Sequence, residues 1–343
     1  MNVLLALAHS IEERDQVELF TRMGLGVFSL GGYIDPAHPH DPVRPGVPNA
    51  LFHPELKAVV DALNTPDNLG AAKARIPEPL LDWADVLICH HHEQRWLVPQ
   101  WPRLRDWIAG GRKRVVWRTV GQSVASNEAA MAPLRAEGLQ VVRYSPLECN
   151  IPGYVGGDAM IRFWKDPEEW SGWTGGRRVV LTIGQHLKRR HPWTNWLYWE
   201  QATAGLPRLP VGYGSEEIGG PGVVPYGWLR EALRLSRAFV FTGTQPASYT
   251  LGLVEAMMTG TPIVSIGPSH MTQFPYGPEL FEGHLLAPLS ADDPEEARAL
   301  LRRLLRDEAF ARETSLRGRT RAVAEFGYEP VAAAWRAFLG ASA

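Results

Sequence analysis

The 343-residue chain is 45% hydrophobic and 21% charged, the composition of a folded soluble protein long enough for two domains of ordinary size. Its 35 Lys+Arg against 37 Asp+Glu leave a formal charge of -2, which excludes a wholly basic nucleic-acid coat and an acidic tail but leaves room for a local basic patch. Two cysteines, Cys89 and Cys149, are too few for a disulfide framework or a zinc site; both lie in apolar contexts and are expected to be buried, reduced thiols.

The amino terminus, MNVLLALAHS, has no preceding basic region and runs into Glu12, Glu13 and Asp15, so a signal peptide is not expected. No stretch approaches the ~20 apolar residues needed to span a bilayer. Ten acidic against six basic side chains in the first eighty residues give no basic amphipathic helix for anionic lipid. The expected location is cytoplasmic.

Asn2–Ala8 is predicted as a buried strand, because a continuous apolar run suits a strand covered on both faces. A helix over Glu12–Met23 and a strand over Val27–Tyr33 follow. Six prolines between Asp35 and Pro54 predict a long irregular loop, since proline lacks an amide donor and breaks both periodicities. Glu55–Leu63 reads as a helix, Ala84–His90 and Lys113–Val120 as strands flanking a helix over Pro102–Ala109, Asn127–Glu137 as a helix closed by Gly138, and Gln140–Tyr144 as a strand. Residues 150–176 then hold six glycines, two prolines and three tryptophans without periodicity, which reads as the passage between domains.

A second alternation begins at the strand Arg178–Ile183. It continues with a helix over Trp193–Ala204, a strand near Leu209–Tyr213, a helix over Leu229–Ser236, a strand over Phe239–Thr242, a helix over Leu251–Thr259 and a strand over Pro262–Ile266. Helices over Asp293–Arg306, Glu308–Glu325 and Pro330–Leu339 close the chain. Two such alternations predict an α/β protein of two doubly wound domains. Ligands of such sheets bind beyond the carboxyl ends of the strands, so a cleft between the domains is the expected site.

The most informative segment is FVFTGTQPASYTLGLVEAMMTGTPIVSIG, Phe239–Gly267. Ser248 or Thr250 can cap its helix, and Gly260 suits the left-handed position that ends it. A loop of small and hydroxyl residues leading into a helix start presents free amides and a positive dipole end, a ready site for phosphate. Within the apolar run LGLVEAMM the one charge, Glu255, has to find water or a donor, because burying it unpaired is costly.

This segment resembles the donor-binding signature of GT-B glycosyltransferases of the retaining family 4 type, E-x7-E followed by A-M-x-x-G-x-P-(V/I)-V. Glu255-Ala256-Met257, Gly260, Pro262, Ile263 and Val264 match its second half. The resemblance implies that Glu255 holds the donor ribose and that amides at Tyr249, Thr250 and Leu251 receive the diphosphate, with Ser248 also on the donor side. The first acid of the signature falls on Ala247. Arg178–Gly184 followed by Lys188-Arg189-Arg190 resembles the family's strand, Gly-Arg turn and basic residue; the usual Arg after Gly184 is Gln185 here, so Lys188 or Arg190 is expected to supply the charge that helps the diphosphate depart. VPYGW, Val224–Trp228, resembles the loop that cradles the nucleotide base, which places Tyr226 there.

The first half resembles the family more loosely. Its strand-end His-Gly pair is Val120-Gly121, with Arg118, Gln122 or the His90–His92 cluster, His91 in particular, as substitutes on the sugar or acceptor side. Neighbouring residues on a strand point to opposite faces, so the three histidines do not converge on a metal, and no DxD triad is present. The crowded tryptophans Trp164, Trp170, Trp173, Trp193, Trp196 and Trp199 are read chiefly as packing, with one or two lining the cleft.

The resemblance implies a GT-B architecture of two Rossmann-like domains: an acceptor-side domain over 1–155 with a carboxy-terminal helix over 328–340 packing back on it, a passage over 156–174, and a donor domain over 175–327. It implies a hexosyltransferase-type enzyme that moves a sugar from a nucleoside diphosphate sugar, a UDP-sugar ahead of a GDP- or ADP-sugar, to a hydroxyl acceptor, with retention and without metal or other cofactor. The acceptor is an envelope glycan, a small molecule or a modified DNA base. The last is kept open because Arg103, Arg105, Arg112, Lys113, Arg114 and Arg118 concentrate positive charge in an otherwise acidic half. A sugar-nucleotide epimerase and a non-catalytic GT-B partner protein are the rival readings.

Overall fold

The computed structural model describes residues 1–6, 10–30, 56, 75–90, 94–121, 123–271, 279 and 289–340. The predicted Asp35–Pro54 loop, the Glu55–Leu63 helix apart from Leu56, and His91, His92 and Gln122 lie outside these residues. The chain divides into two compact units, Met1–Trp164 with Val331–Ala343, and Lys165–Pro330.

The first unit is built on β1 (Asn2–Ala6), β2 (Gly26–Ser29), β3 (Val86–His90), β4 (Arg114–Arg118), β5 (Gln140–Arg143) and β6 (Ala159–Met160), all parallel and ordered β2-β1-β3-β4-β5-β6. Its helices are α1 (Ser10–Arg22), α2 (Glu78–Trp83), α3 (Gln94–Ile108) and α4 (Ala125–Ala136). Continuous apolar strands such as VLLA at 3–6 are buried because parallel strands are covered on both faces. One face of the sheet, through Leu4, Leu87, Val115, Trp117 and Val141, packs with Leu80, Leu104 and Met131 of the helices into one apolar cluster. α3 begins well before the predicted Pro102 and carries Pro99 and Pro102 within it. β6 and α2 were not expected: β6 is two residues long inside the glycine-rich passage, and α2 starts at a proline and spans barely two turns.

The second unit holds β7 (Arg177–Ile183), β8 (Arg208–Val211), β9 (Ser236–Phe241), β10 (Ile263–Ile266) and β11 (Ser290–Ala291), again all parallel, in the order β11-β10-β9-β7-β8. Its helices are α5 (Trp196–Ala202), α6 (Tyr226–Leu235), α7 (Leu251–Thr259), α8 (Pro294–Arg306) and α9 (Glu308–Phe326). The last helix, α10 (Tyr328–Leu339), lies in the first unit from Val331 onward, where Trp335 meets Phe20 edge to face at 5.0 Å. α8 shows why these boundaries fall where they do. The Asp293 side chain accepts from the Glu295 amide at 2.9 Å, Pro294 opens the helix, acids fill its first turn and Arg303 and Arg306 its last.

Candidate functional site

In the second unit the chain runs from β7 outward to β8 and then returns to β9 on the other side of β7. The loops leaving β7 and β9 therefore diverge at the carboxyl ends of two adjacent strands, the switch point at which open parallel sheets bind ligands. The two loops touch there: Asn195 Nδ2 donates to the Thr242 carbonyl at 2.8 Å and the Gln245 amide to the Trp193 carbonyl at 2.8 Å.

The loop after β9 ends in α7. Thr250 is its N-cap: the hydroxyl accepts from the Leu253 amide at 3.2 Å and the carbonyl from Val254 at 3.2 Å. Among the described residues no acceptor takes the amides of Leu251 and Gly252, so two donors and the positive end of the helix dipole stay open. Gly252 carries one of these open amides, although the sequence reading stopped at Leu251. Its signal was present, since a small residue follows the cap, and a Cβ there would come within 3.2 Å of Ile183 at the end of β7. Tyr249 is buried with its ring 5.1 Å from that of Phe326, and Ser248 is buried with its carbonyl accepting from Glu279 at 3.1 Å. Both position the loop. Ala247, where the family signature has its first acid, is buried as well.

The loop after β7 carries the cations, and the structure separates them. Arg189 is 68% exposed and pairs with Glu217 at 2.6 Å. Lys188 is exposed, its ammonium 5.9 Å from the centre of the Trp196 ring. Arg190 is half-buried, and burial alone pushes its guanidinium below the usual arginine value. Among the described residues no carboxylate lies within ion-pair distance of it. A partly desolvated cation without a counter-ion among the described residues is suited to an anion.

Gly184 and Gln185 shape this loop. The Gly184 amide donates to Val211 at 3.0 Å, the His186 amide to Tyr213 at 2.6 Å, and the Gln185 side chain accepts from the Tyr213 amide at 2.9 Å. Gln185 thus ties the β7 loop to the β8 loop. At the crossing, Gly212 has φ 124° and a Cβ on it would come within 2.4 Å of the Gly184 carbonyl oxygen. Tyr226 opens α6; its hydroxyl donates to Glu169 and its ring meets Trp170 at 5.7 Å.

Glu255 lies on α7 one turn below the cap and is 3% exposed. Its donor is Lys165, whose ammonium lies 2.8 Å from Oε1 in a buried ion pair. Removing one partner of such a pair costs about 3–5 kcal/mol, because the other charge stays buried. Lys165 was not foreseen as a site residue.

No family model matches the sequence, and no curated protein matches it. Solved structures do. Anabaena Alr3699/HepE, in complex with UDP and glucose, aligns with a TM-score of 0.65 at 14% identity over 100% of both chains. An alpha-glucosyltransferase in complex with UDP-glucose and DNA containing an abasic site aligns at 0.62 and 12% identity over 99% of each chain. TarM aligns at 0.55 and 12% identity over 75% of this chain, which spans 55% of the length of the TarM chain. The fold is GT-B.

In the first unit of this GT-B chain, the residue expected on the sugar side is otherwise engaged. Arg118 is fully buried; its guanidinium donates to the carbonyls of Ile161 at 2.8 Å and Arg162 at 3.1 Å and lies over the Phe163 and Trp335 rings. It packs β4 against the end of the sheet and α10. The loop that follows, with Val120 and Gly121, is pinned by Glu148, which accepts from Thr119 Oγ1 at 2.8 Å, Ser123 Oγ at 3.0 Å and the Tyr144 amide at 3.0 Å. Burial pushes the Glu148 carboxyl up, against Arg143 and these donors.

The other cations of the first half do not form a patch at the carboxyl ends of its strands. Arg103 pairs with Glu78 at 2.5 Å, and Arg114 donates to Gln140 at 2.6 Å and to the Phe338 carbonyl at 3.0 Å. Arg105, Lys113 and Arg114 line a cavity of about 540 Å³ with Glu137 and Gln140, at the amino ends of β4 and β5. Trp164, Trp170 and Trp199 are buried, as packing requires, while Trp193 is 52% exposed. Cys89 is buried, whereas Cys149 is exposed, contrary to expectation, on a short 3-10 turn whose inward residue is Glu148. Among the described residues no helix is long and apolar enough to cross a membrane.

Proposed function

We propose that this protein is a nucleotide-sugar-dependent glycosyltransferase whose donor diphosphate sits at the switch point between β7 and β9. The observations that carry this reading are the two open helix amides of Leu251 and Gly252, on the loop after β9, and the half-buried Arg190, on the loop after β7. That UDP, glucose and UDP-glucose are bound in the solved structures of Alr3699/HepE supports it. Glu255 receives the ribose hydroxyls, and Tyr226, opening α6, flanks the base. The donor is a UDP-sugar in this reading.

The chemistry is a retaining displacement. The bond from the sugar's anomeric carbon to the diphosphate oxygen breaks, the acceptor oxygen bonds to the same face, and the acceptor's proton passes to the departing phosphate. Negative charge grows on the diphosphate as it leaves, and fixed positive groups lower that barrier most. Arg190 and the α7 amides supply that charge from the protein, so the reading requires no metal ion. Because Ala247 stands where the family signature has an acid, the site offers the sugar one fewer polar partner.

A DNA acceptor draws on the alpha-glucosyltransferase complex with DNA. Of the cations grouped for it, Arg105, Lys113 and Arg114 lie at the amino ends of β4 and β5, away from the ends at which such sheets bind ligands, and Arg118 is buried among carbonyls. A small-molecule or glycan hydroxyl is therefore the preferred acceptor. The test is release of UDP from UDP-glucose in the presence and absence of acceptor panels, with the anomeric configuration of the product read by NMR. Acceptor-dependent release with an α-linked product is expected. No release with any acceptor would leave the non-catalytic reading, and acceptor-free interconversion of the donor would mark an epimerase.

A further inference from the structure

The cavity at the amino ends of β4 and β5 lies wholly within the first unit. Its volume of about 540 Å³ falls within the range of small-molecule sites, roughly 300–1,000 Å³. Two turns frame it, one from α3 into β4 and one from α4 into β5. Each passes through a glycine in the left-handed region, Gly111 at φ 72° and Gly138 at φ 110°. A Cβ on Gly111 would meet nothing within 4 Å, so the space beside that turn is open. Three cations, Arg105, Lys113 and Arg114, line the cavity against one carboxylate, Glu137.

Arg114 is the fixed point of the lining. Its Nε donates to Gln140 Oε1 at 2.6 Å, its Nη2 to the Phe338 carbonyl at 3.0 Å, and its guanidinium lies 4.5 Å from the centre of the Phe338 ring. Among the described residues no acceptor takes its Nη1 or the side-chain amide hydrogens of Gln140. The Lys113 ammonium donates to the Asp82 and Ala84 carbonyls, which leaves one of its three hydrogens. Arg105 is half-exposed and meets Asp106 and Glu137 only at 3.6 Å, beyond the length of a charge-assisted hydrogen bond. Glu137 Oε2 accepts from Trp101 Nε1 at 2.8 Å, while among the described residues no donor reaches its other oxygen. Cationic donors and one acidic acceptor therefore stand open around the same space.

We propose that this cavity binds a small hydroxylated phosphate, of the sugar-phosphate class, as a second ligand apart from the glycosyl donor. The phosphate takes Nη1 of Arg114, the Arg105 guanidinium and the remaining Lys113 hydrogen, all charge-assisted donors. A hydroxyl donates to Glu137, and the Gln140 amide donates to another. Bare phosphate would bring only negative charge to Glu137, and a neutral sugar would leave the cations unanswered. Parallel sheets carry their chemistry at the carboxyl ends of the strands, so the occupant of a cavity at the amino ends is not the substrate. The proposal stands independently of the glycosyltransferase reading.

The experiment is calorimetry on the full chain with glucose 6-phosphate, glucose and inorganic phosphate, each with and without UDP. Wild type is expected to bind glucose 6-phosphate at least about tenfold more tightly than inorganic phosphate, the worth of hydrogen bonds to a charged group. It is expected not to bind glucose, and UDP leaves these results unchanged. Arg105→Glu weakens glucose 6-phosphate by at least about tenfold while UDP affinity stays at the wild-type value. Arg114→Lys, which keeps the charge but loses the planar fork, also weakens it. Glu137→Gln still accepts from Trp101 and narrows the gap between glucose 6-phosphate and phosphate. Should Arg114→Lys not fold, Arg105→Glu decides, because that side chain is half-exposed.

No binding of glucose 6-phosphate by wild type, or binding unchanged in Arg105→Glu, would overturn the proposal. Equal affinity for phosphate and glucose 6-phosphate would reduce the cavity to an ion site and contradict the hydroxyl assignment. Competition with UDP that disappears in Arg190→Gln would place the sugar phosphate at the β7–β9 switch point instead. Sedimentation with phosphatidylglycerol vesicles, or retention by duplex DNA, that Arg105→Glu abolishes while glucose 6-phosphate fails to bind would assign the cations to a macromolecule and overturn the proposal as well.

Discussion

Arg189 and Arg190 are neighbours in sequence, yet they sit in different surroundings. Arg189 is exposed and already paired with Glu217, whereas burial depresses Arg190 and no carboxylate among the described residues answers it. Arg190→Gln should therefore lower turnover about a hundredfold, the scale of losing a group that stabilises developing negative charge, with nucleotide affinity reduced alongside. Arg189→Gln should change both by less than about twofold, as for other exposed ion pairs. Steady-state kinetics on the two variants checks this, and equal effects would move the cation assignment to the surface. The sequence marked a basic run after β7 but left Lys188 and Arg190 undivided, because the difference between them is burial. Glu255 was legible for a different reason: one acid in an apolar helix has to be answered by something. The answering lysine was not, since nothing local in the sequence connects positions 165 and 255.

Elements whose ends are set by chemistry were the most legible. α7 spans Leu251–Thr259 as expected, because Thr250 caps one end and Gly260 ends the other. α5 is shorter than the predicted Trp193–Ala204, because Asn195 at φ 52° breaks the helical path before Trp196. The crossing of the β7 and β8 loops was invisible, since it depends on a backbone approach between Gly184 and Gly212. Gly212→Ala should cost at least about 2 kcal/mol, combining a left-handed backbone with the contact to the Gly184 carbonyl. Urea unfolding would show it, and an unchanged midpoint would mean the crossing yields freely. In the first unit, Asp158 binds Arg135 at 2.6 Å and the Val141 amide at 2.7 Å, at the start of β5. Burial pushes its carboxyl up, but these bonds outweigh it and hold it below the usual value. A depressed carboxyl stabilises the fold above its unfolded value and loses that effect as pH falls through the folded one. Asp158→Asn should thus lower Tm at pH 7, with the gap to wild type closing below about pH 4; a gap that stays constant with pH would contradict the assignment.

At the scale of the whole molecule, the formal charge of -2 averages groups with different tasks. Arg105, Lys113 and Arg114 line a cavity at the amino ends of β4 and β5, and Arg118 is buried among carbonyls and rings. Arg190, on the loop after β7 in the second unit, is half-buried with no carboxylate at ion-pair distance among the described residues. Two parallel sheets were readable from alternating apolar runs, and the GT-B architecture from the resemblance of the segment around Glu255 to the family's donor signature. The central claim is that the β7–β9 switch point holds a nucleoside diphosphate through Arg190 and the α7 amides. Calorimetric comparison of UDP with uridine tests it most directly. The account predicts that wild type binds UDP at least about tenfold more tightly than uridine, a difference of about 1.4 kcal/mol, and that Arg190→Gln removes most of this preference while leaving uridine unaffected. Equal binding of UDP and uridine by wild type, or a preference undiminished in Arg190→Gln, would contradict it.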